Sequence, residues 1–132
     1  MKKITRVYSS SKFNTGYKLL VKKHKKKEIK TLNEVINKLI NFESVQQYKP
    51  HPMNGHPNIL ELHISGNVLL LYSIEGDLLS VDLYLQDLTD HDTLDRQLKT
   101  SKKQVYKVYN NPESANDILN EDDDISNLEN YI

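Results

Sequence analysis

Leu60-Glu61-Leu62-His63-Ile64-Ser65-Gly66-Asn67-Val68-Leu69-Leu70-Leu71-Tyr72-Ser73-Ile74 is the stretch that decides the fold. Leu60, Leu62 and Ile64 alternate with Glu61 and His63, the pattern of a strand with one face buried. Ser65-Gly66-Asn67 turns the chain. Val68–Ile74 is nearly all apolar, as a central strand covered on both faces requires. Glu75-Gly76-Asp77 turns the chain again. Leu79, Val81, Leu83 and Leu85 then alternate with Ser80, Asp82 and Tyr84, so the three runs read as an antiparallel meander.

Working outward, Lys3–Tyr8 alternates weakly and predicts a short first strand. Ser9-Ser10-Ser11 supplies hydroxyls suited to a helix N-cap. Phe13, Tyr17, Leu20, Val21 and His24 follow at helical spacing, with Gly16 as a weak point. The run Lys22–Lys27, broken by His24, closes this helix. A second helix carries Ile29, Leu32, Val35, Ile36, Leu39 and Ile40 on one face and Lys30, Asn33, Glu34, Asn37 and Lys38 on the other. Two amphipathic helices with a short connection form a hairpin that must lie on something apolar, and the meander supplies it. Pro50, Pro52 and Pro57 mark Lys49–Asn58 as loop. A short helix is expected after Leu88.

The 132 residues suit a single domain with one modest core. There is no cysteine, so no disulfide framework and no thiolate zinc site is available. No apolar run reaches the roughly 18–20 residues of a membrane span, and a secretory apolar segment is missing. No membrane partner and a cytoplasmic location are expected. The zero net charge hides segregation: residues 1–49 hold 13 Lys/Arg against 3 Asp/Glu, residues 50–98 hold 1 against 8, and residues 99–132 hold 4 against 7. Such asymmetry suits a polyanionic partner for the basic part, although the halves can also neutralise each other within the fold.

Three histidines, His51, His63 and His91, sit at the edges of the expected strands. Histidine titrates near neutral pH, so several imidazoles on one small sheet can supply acid–base chemistry. A lone histidine at a strand edge is more often an ordinary hydrogen-bonded residue. A three-histidine zinc site is the other chemical alternative, but no tight histidine spacing supports it. His24 and His56 read as a polar helix-end residue and a loop residue.

The loop Tyr48-Lys49-Pro50-His51-Pro52-Met53-Asn54-Gly55, the strands Leu62-His63-Ile64 and Asn67-Val68-Leu69-Leu70-Leu71-Tyr72, and the segment Thr89-Asp90-His91-Asp92-Thr93-Leu94 resemble, in order and spacing, the RelE/YafQ-type toxins of bacterial type II toxin–antitoxin systems. The likeness covers roughly Ile4–Gln97. It implies an α+β fold: an N-terminal helical hairpin packed on a twisted, mainly antiparallel four-stranded sheet. It divides the chain into a toxin domain at 1–98 and an acidic extension at 99–132, partly helical or disordered. Asn111-Pro112-Glu113 reads as a helix start within that extension.

The resemblance also implies cleavage of mRNA, often on the ribosome, and neutralisation by a cognate antitoxin. Metal-independent cleavage, with no cofactor, needs a base for the ribose 2′-OH, an acid for the departing 5′-oxygen and stabilisation of the anionic phosphorane. Carried over, the catalytic candidates are His51, His63 and His91, with His63 and His91 as the acid–base pair and His51 positioning or protonating. Glu61 shares a strand face with His63 and can hold an imidazole or act as base. Asn67 joins them from a position where this branch usually has an acidic residue. Val68 and Leu94 stand at or near positions that usually carry tryptophan and an aromatic, and the usual arginine before His91 is missing. The RNA-binding candidates are Lys18, Lys22, Lys23, Lys25, Lys26 and Lys49 for phosphates, with Tyr84 stacking a base. The alternative is a catalytically weak or inactive module that keeps the scaffold to bind antitoxin, RNA or ribosome.

Overall fold

A computed structural model describes residues 3–76, 80–89 and 105–119. The chain opens with strand β1 (Arg6–Ser10), followed by helices α1 (Ser11–Lys22) and α2 (Lys26–Ile40). Strands β2 (His51–Met53), β3 (His56–His63), β4 (Leu69–Gly76), β5 (Val81–Thr89) and β6 (Tyr106–Asn110) complete one sheet. Its strand order is β2-β3-β4-β5-β1-β6. β2 through β5 form an antiparallel run, β1 lies parallel to β5, and β6 is antiparallel to β1. The chain returns from β1 to its parallel neighbour by way of the helical hairpin and the meander.

The helices form where their apolar spacing predicts. Ser10 caps α1: its hydroxyl accepts the Phe13 N–H at 3.0 Å. Lys22 ends the helix, where a cation suits the dipole. His24 then adopts a left-handed conformation, φ 55°, that lets the chain reverse into α2. Phe13, Tyr17 and Leu20 of α1 and Leu32, Val35, Ile36, Leu39 and Ile40 of α2 are buried. They meet Val7, Leu62, Leu70, Tyr72, Leu83 and Leu85 from the sheet in the main core. On β3, Leu62 is in this core, so alternation sends Glu61 and His63 to the opposite face. There Met53, Leu69 and Leu71 make a second, smaller cluster, with Ile59 against it.

The sheet is larger than the four strands expected, and the N-terminal helical hairpin stands behind the short first strand that Lys3–Tyr8 predicts. Part of the difference lies in the proline-marked region. His51–Met53 pairs with β3 as an edge strand, and β3 itself begins at His56. Pro52 and Pro57 are tolerated because proline is admitted at sheet edges and strand starts. The other addition is β6. The Asn111-Pro112-Glu113 signal does not start a helix; Asn111 is left-handed, φ 48°, and a single turn of 3-10 helix begins at Ala115. Ser114 and Asp117 close a reciprocal capping box around that turn. Ala115, Ile118 and Leu119 are buried in the main core, and the Ala115 N–H donates to Asn37 Oδ1 of α2 at 2.6 Å. The segment expected after Leu88 lies outside the described residues; β5 itself continues to Thr89. Among the described residues, no helix is long and apolar enough to cross a membrane.

Candidate functional site

The β2–β3 ladder puts His51 directly opposite Glu61. Their side chains meet: His51 Nε2 lies 3.4 Å from Glu61 Oε1. The imidazole side chain is half-exposed, whereas the carboxylate side chain keeps only 11% of its surface. The Lys49 carbonyl lies 3.2 Å from His51 Nδ1, so both ring nitrogens have a neighbour. Lys49 is itself left-handed, φ 55°, which turns its carbonyl back toward the ring two residues on. The His63 ring lies 6.0 Å from the His51 ring, centroid to centroid, at 31°. Two of the three histidines therefore converge on the face of the sheet opposite the helices. Glu61, expected beside His63 on its own strand, meets the imidazole of the neighbouring strand. His91 lies outside the described residues.

Asn67 sits at the β3–β4 turn rather than beside the imidazoles. The turn is closed by the Ile64 N–H donating to the Val68 carbonyl at 2.9 Å, and Ser65 Oγ accepts the N–H of Val68. Asn67 and Val68 line a notch of about 510 Å³ between α1 with the start of α2, this turn and the end of β5. Leu19, Leu20 and Leu88 give it apolar walls, and Lys12, Lys23, Lys25 and Glu28 stand around it. His63 pairs with Leu69, and Leu69 with Thr89, which also lines the notch. His63 and Thr89 therefore lie two strand spacings, about 10 Å, apart along one end of the sheet, with the imidazoles on the face opposite the helices and the notch against α1.

The notch holds a residue that the sequence reading missed. Asp87 is only 6% exposed. Its Oδ1 accepts the Leu88 N–H at 2.8 Å. Burial raises its pKa, and the Leu88 amide and the positive charge of Lys12 oppose that rise. The β4–β5 register shifts at Leu71/Tyr72, so Leu85 and Leu88 both reach the main core with Gln86 and Asp87 between them. The signal in the sequence was this break in alternation after Leu85, with a carboxylate next to it.

Of the lysine candidates, Lys22, Lys23, Lys25, Lys26 and Lys49 are exposed and Lys18 is half-buried. Tyr84 does not present a free ring. It stacks on Tyr8 of β1 at 4.6 Å and 8°, with Tyr106 of β6 edge-on to both. Tyr106 also donates to Gln86 Oε1 at 2.7 Å, and Gln86 donates to Ser73 Oγ. The cluster ties β6 across β1 to β5. Among the described residues, no group of three or more His, Cys, Asp or Glu side chains is arranged to hold a metal ion.

Residues 5–96 match the family model described as the bacterial toxin of type II toxin–antitoxin systems, YafQ. A metal-bound toxin from Helicobacter pylori is 29% identical, with 69% of this chain and 99% of that chain covered and a TM-score of 0.59. YafQ in the E. coli DinJ–YafQ toxin–antitoxin complex is 24% identical over 67% of this chain and 93% of that one, TM-score 0.56, a likeness of fold. The YoeB/ParE toxin from Agrobacterium tumefaciens, 16% identical over 64% of this chain and 97% of that one, shares the fold at a TM-score of 0.54. No curated protein matches the chain. β6 and the 3-10 turn at 115–117 lie beyond the matched residues. With the family model spanning most of the chain, and with the same fold in the solved toxins, this protein belongs to the YafQ family of type II toxin–antitoxin toxins.

Proposed function

We propose that this toxin cleaves mRNA, in association with the ribosome, by acid–base catalysis, and that a cognate antitoxin neutralises it. The observation that carries the reading is the convergence of His51 and His63, rings 6.0 Å apart, with Glu61 held against His51. One imidazole takes the proton from a ribose 2′-OH as the oxygen attacks the adjacent phosphorus. The bond to the 5′-oxygen breaks, and the other imidazole protonates that oxygen. The products are a 2′,3′-cyclic phosphate and a 5′-OH end. Glu61 orients His51 and balances its charge when the ring is protonated. Lys49, whose carbonyl already meets His51, brings its ammonium near the same strand end to stabilise the phosphorane. Lys18, Lys22, Lys23, Lys25 and Lys26 hold flanking phosphates. His91, two residues beyond the end of β5, supplies a third imidazole in this reading.

Cleavage of a defined mRNA by the purified chain, with and without ribosomes, tests this directly. His51→Ala and His63→Ala should each lower the rate by about 10²–10⁴. Wild-type rates in both variants would overturn the assignment. A second reading is a binding module without cleavage. It is favoured by the β3–β4 turn, whose residues Ser65, Gly66, Asn67 and Val68 include no ionisable group. Expression that arrests growth and leaves cut mRNA supports the enzyme. Tight antitoxin or ribosome binding without toxicity supports the module.

A further inference from the structure

Helix α2 carries a basic stripe that starts where the chain beyond the family match is anchored. Asn37 Oδ1 accepts the Ala115 N–H at 2.6 Å, so the 3-10 turn at Ala115–Asp117 sits against Asn37. Asn33, Lys30 and Lys26 precede Asn37 by four, seven and eleven residues, the spacing of a single helix face. Lys30 and Lys26 are exposed. At 1.5 Å per residue they stand roughly 10 and 16 Å along the helix from Asn37. Lys22, Lys23, Lys25 and Lys27, also exposed, extend the basic surface around the turn between α1 and α2. Among the described residues, none of these six lysines forms an ion pair. The carboxylates on α2 are Glu28 and Glu34, so six lysines stand against two acids. Like charges one turn apart repel one another, so this surface gains from an anionic cover.

The chain itself holds such an anion. Residues 120–132, which lie outside the described residues, follow Leu119, which is buried in the main core. They include Glu121, Asp122, Asp123, Asp124 and Glu129 and no lysine or arginine. We infer that the acidic run Glu121–Asp124 lies along α2 on Lys30 and Lys26, and so competes with RNA phosphates for the basic hairpin. The contact stands on charge and reach; the competition rests on the RNA reading above. An extended chain advances about 3.3 Å per residue, so Glu121–Asp124 fall roughly 7–16 Å beyond Leu119. That interval matches the one from Asn37 to Lys30 and Lys26. Single exposed ion pairs are weak. A tethered segment, however, acts at an effective concentration in the mM range, so several weak pairs together suffice to hold it. The tether also favours the chain's own α2 over that of a second copy.

The chain has no cysteine, so Asn127→Cys gives the full chain a single site for a nitroxide spin label. The expected result is strong broadening of the Lys26–Lys30 amide signals at low salt. It should vanish in about 1 M salt, where the Debye length is about 3 Å. It should vanish also when Glu121→Gln, Asp122→Asn, Asp123→Asn and Asp124→Asn are combined. Without the label, that combined variant should bind a single-stranded RNA about 3-fold or more tighter than wild type at low salt, because a competitor at mM effective concentration is gone. The gain should shrink as salt rises. Absence of broadening on α2, or broadening that survives removal of the four acids, would overturn the contact. Broadening that appears only when spin-labelled chains are mixed with isotope-labelled ones would place the segment on a second copy, and would overturn it as well. Contact is read separately from RNA binding. Broadening in a chain that binds no RNA leaves the contact standing and removes the RNA reading; RNA affinity indifferent to the four acids removes the competition.

Discussion

Gly16 of α1 lies against the main chain of Leu88 in β5, so closely that a Cβ at position 16 would overlap the Leu88 carbonyl oxygen. The contact is backbone to backbone, and no flexible side chain can yield. It pins α1 to the end of β5 at the wall of the notch, which Gly16 and Leu88 both line.

Helix propensity alone favours alanine over glycine by about 1 kcal/mol in a helix interior. The overlap with Leu88 acts in the opposite direction, and overpacking costs about 1–3 kcal/mol. Gly16→Ala should therefore be destabilising on balance, as read by urea unfolding. A more stable variant would show that α1 can move away from β5 without loss.

Glu61 is the charge partner of His51 across the β2–β3 ladder. Glu61→Gln keeps the shape but removes the charge. The expected outcome is a slower cleavage rate than wild type, yet a smaller loss than the roughly 10²–10⁴ for removing an imidazole. A wild-type cleavage rate in Glu61→Gln would argue against Glu61 acting through His51.

Burial raises the pKa of Asp87, so the folded state holds its proton more tightly than the unfolded chain does. Above the unfolded carboxylate value of about 3.9 the unfolded state binds fewer protons, and stability falls as pH rises through the window up to the folded value. Asp87→Asn removes that loss. The variant should melt higher than wild type at neutral pH, and the difference should shrink as the pH approaches 4. Thermal melts across that range check it. A wild-type curve rising with pH in step with the variant would contradict the burial argument.

Ala115, Ile118 and Leu119, beyond the family match, are part of the core. Ile118 is 5% exposed and packs in the same cluster as α2. Ile118→Ala should cost about 2–5 kcal/mol, the ordinary range for a large-to-small core change. A loss under about 0.5 kcal/mol in denaturant unfolding would mean that 115–119 contributes little to stability.

For the basic hairpin, removing a lysine that touches a phosphate should weaken RNA binding about equally across sequences. With single-stranded RNA, the slope of log affinity against log salt should fall by about 0.7 for each phosphate left without its lysine. Lys23→Ala and Lys25→Ala are the variants to compare. An unchanged slope would place those lysines off the RNA path.

Much of the fold was legible in the sequence. The helical spacing of Phe13, Tyr17 and Leu20, and of Leu32 through Ile40, named the buried faces correctly. The alternation around Leu62 put His63 and Glu61 on the face away from the core. The edge strand at His51–Met53 was hidden because Pro52 and its proline neighbours read as loop, and an edge strand tolerates proline. β6 was hidden because Tyr106–Asn110 has little apolar content of its own; Tyr8 and Tyr84 on other strands complete its aromatic cluster. Asp87 was hidden because a carboxylate beside a strand end looks solvated until its neighbours are known.

The sequence by itself determined the two amphipathic helices, the meander and the residues that each element turns toward the core. These follow from periodicities of 3.6 and 2, which are local properties of the chain. Only the tertiary structure decided that Glu61 meets His51 rather than His63, that Tyr84 stacks on Tyr8, and that Asp87 is buried near the end of β5. Each of those contacts depends on strand register, on the bulge at Leu71/Tyr72 or on the close approach at Gly16. Register and close approach are set by packing between residues far apart in the chain, and no local pattern encodes them.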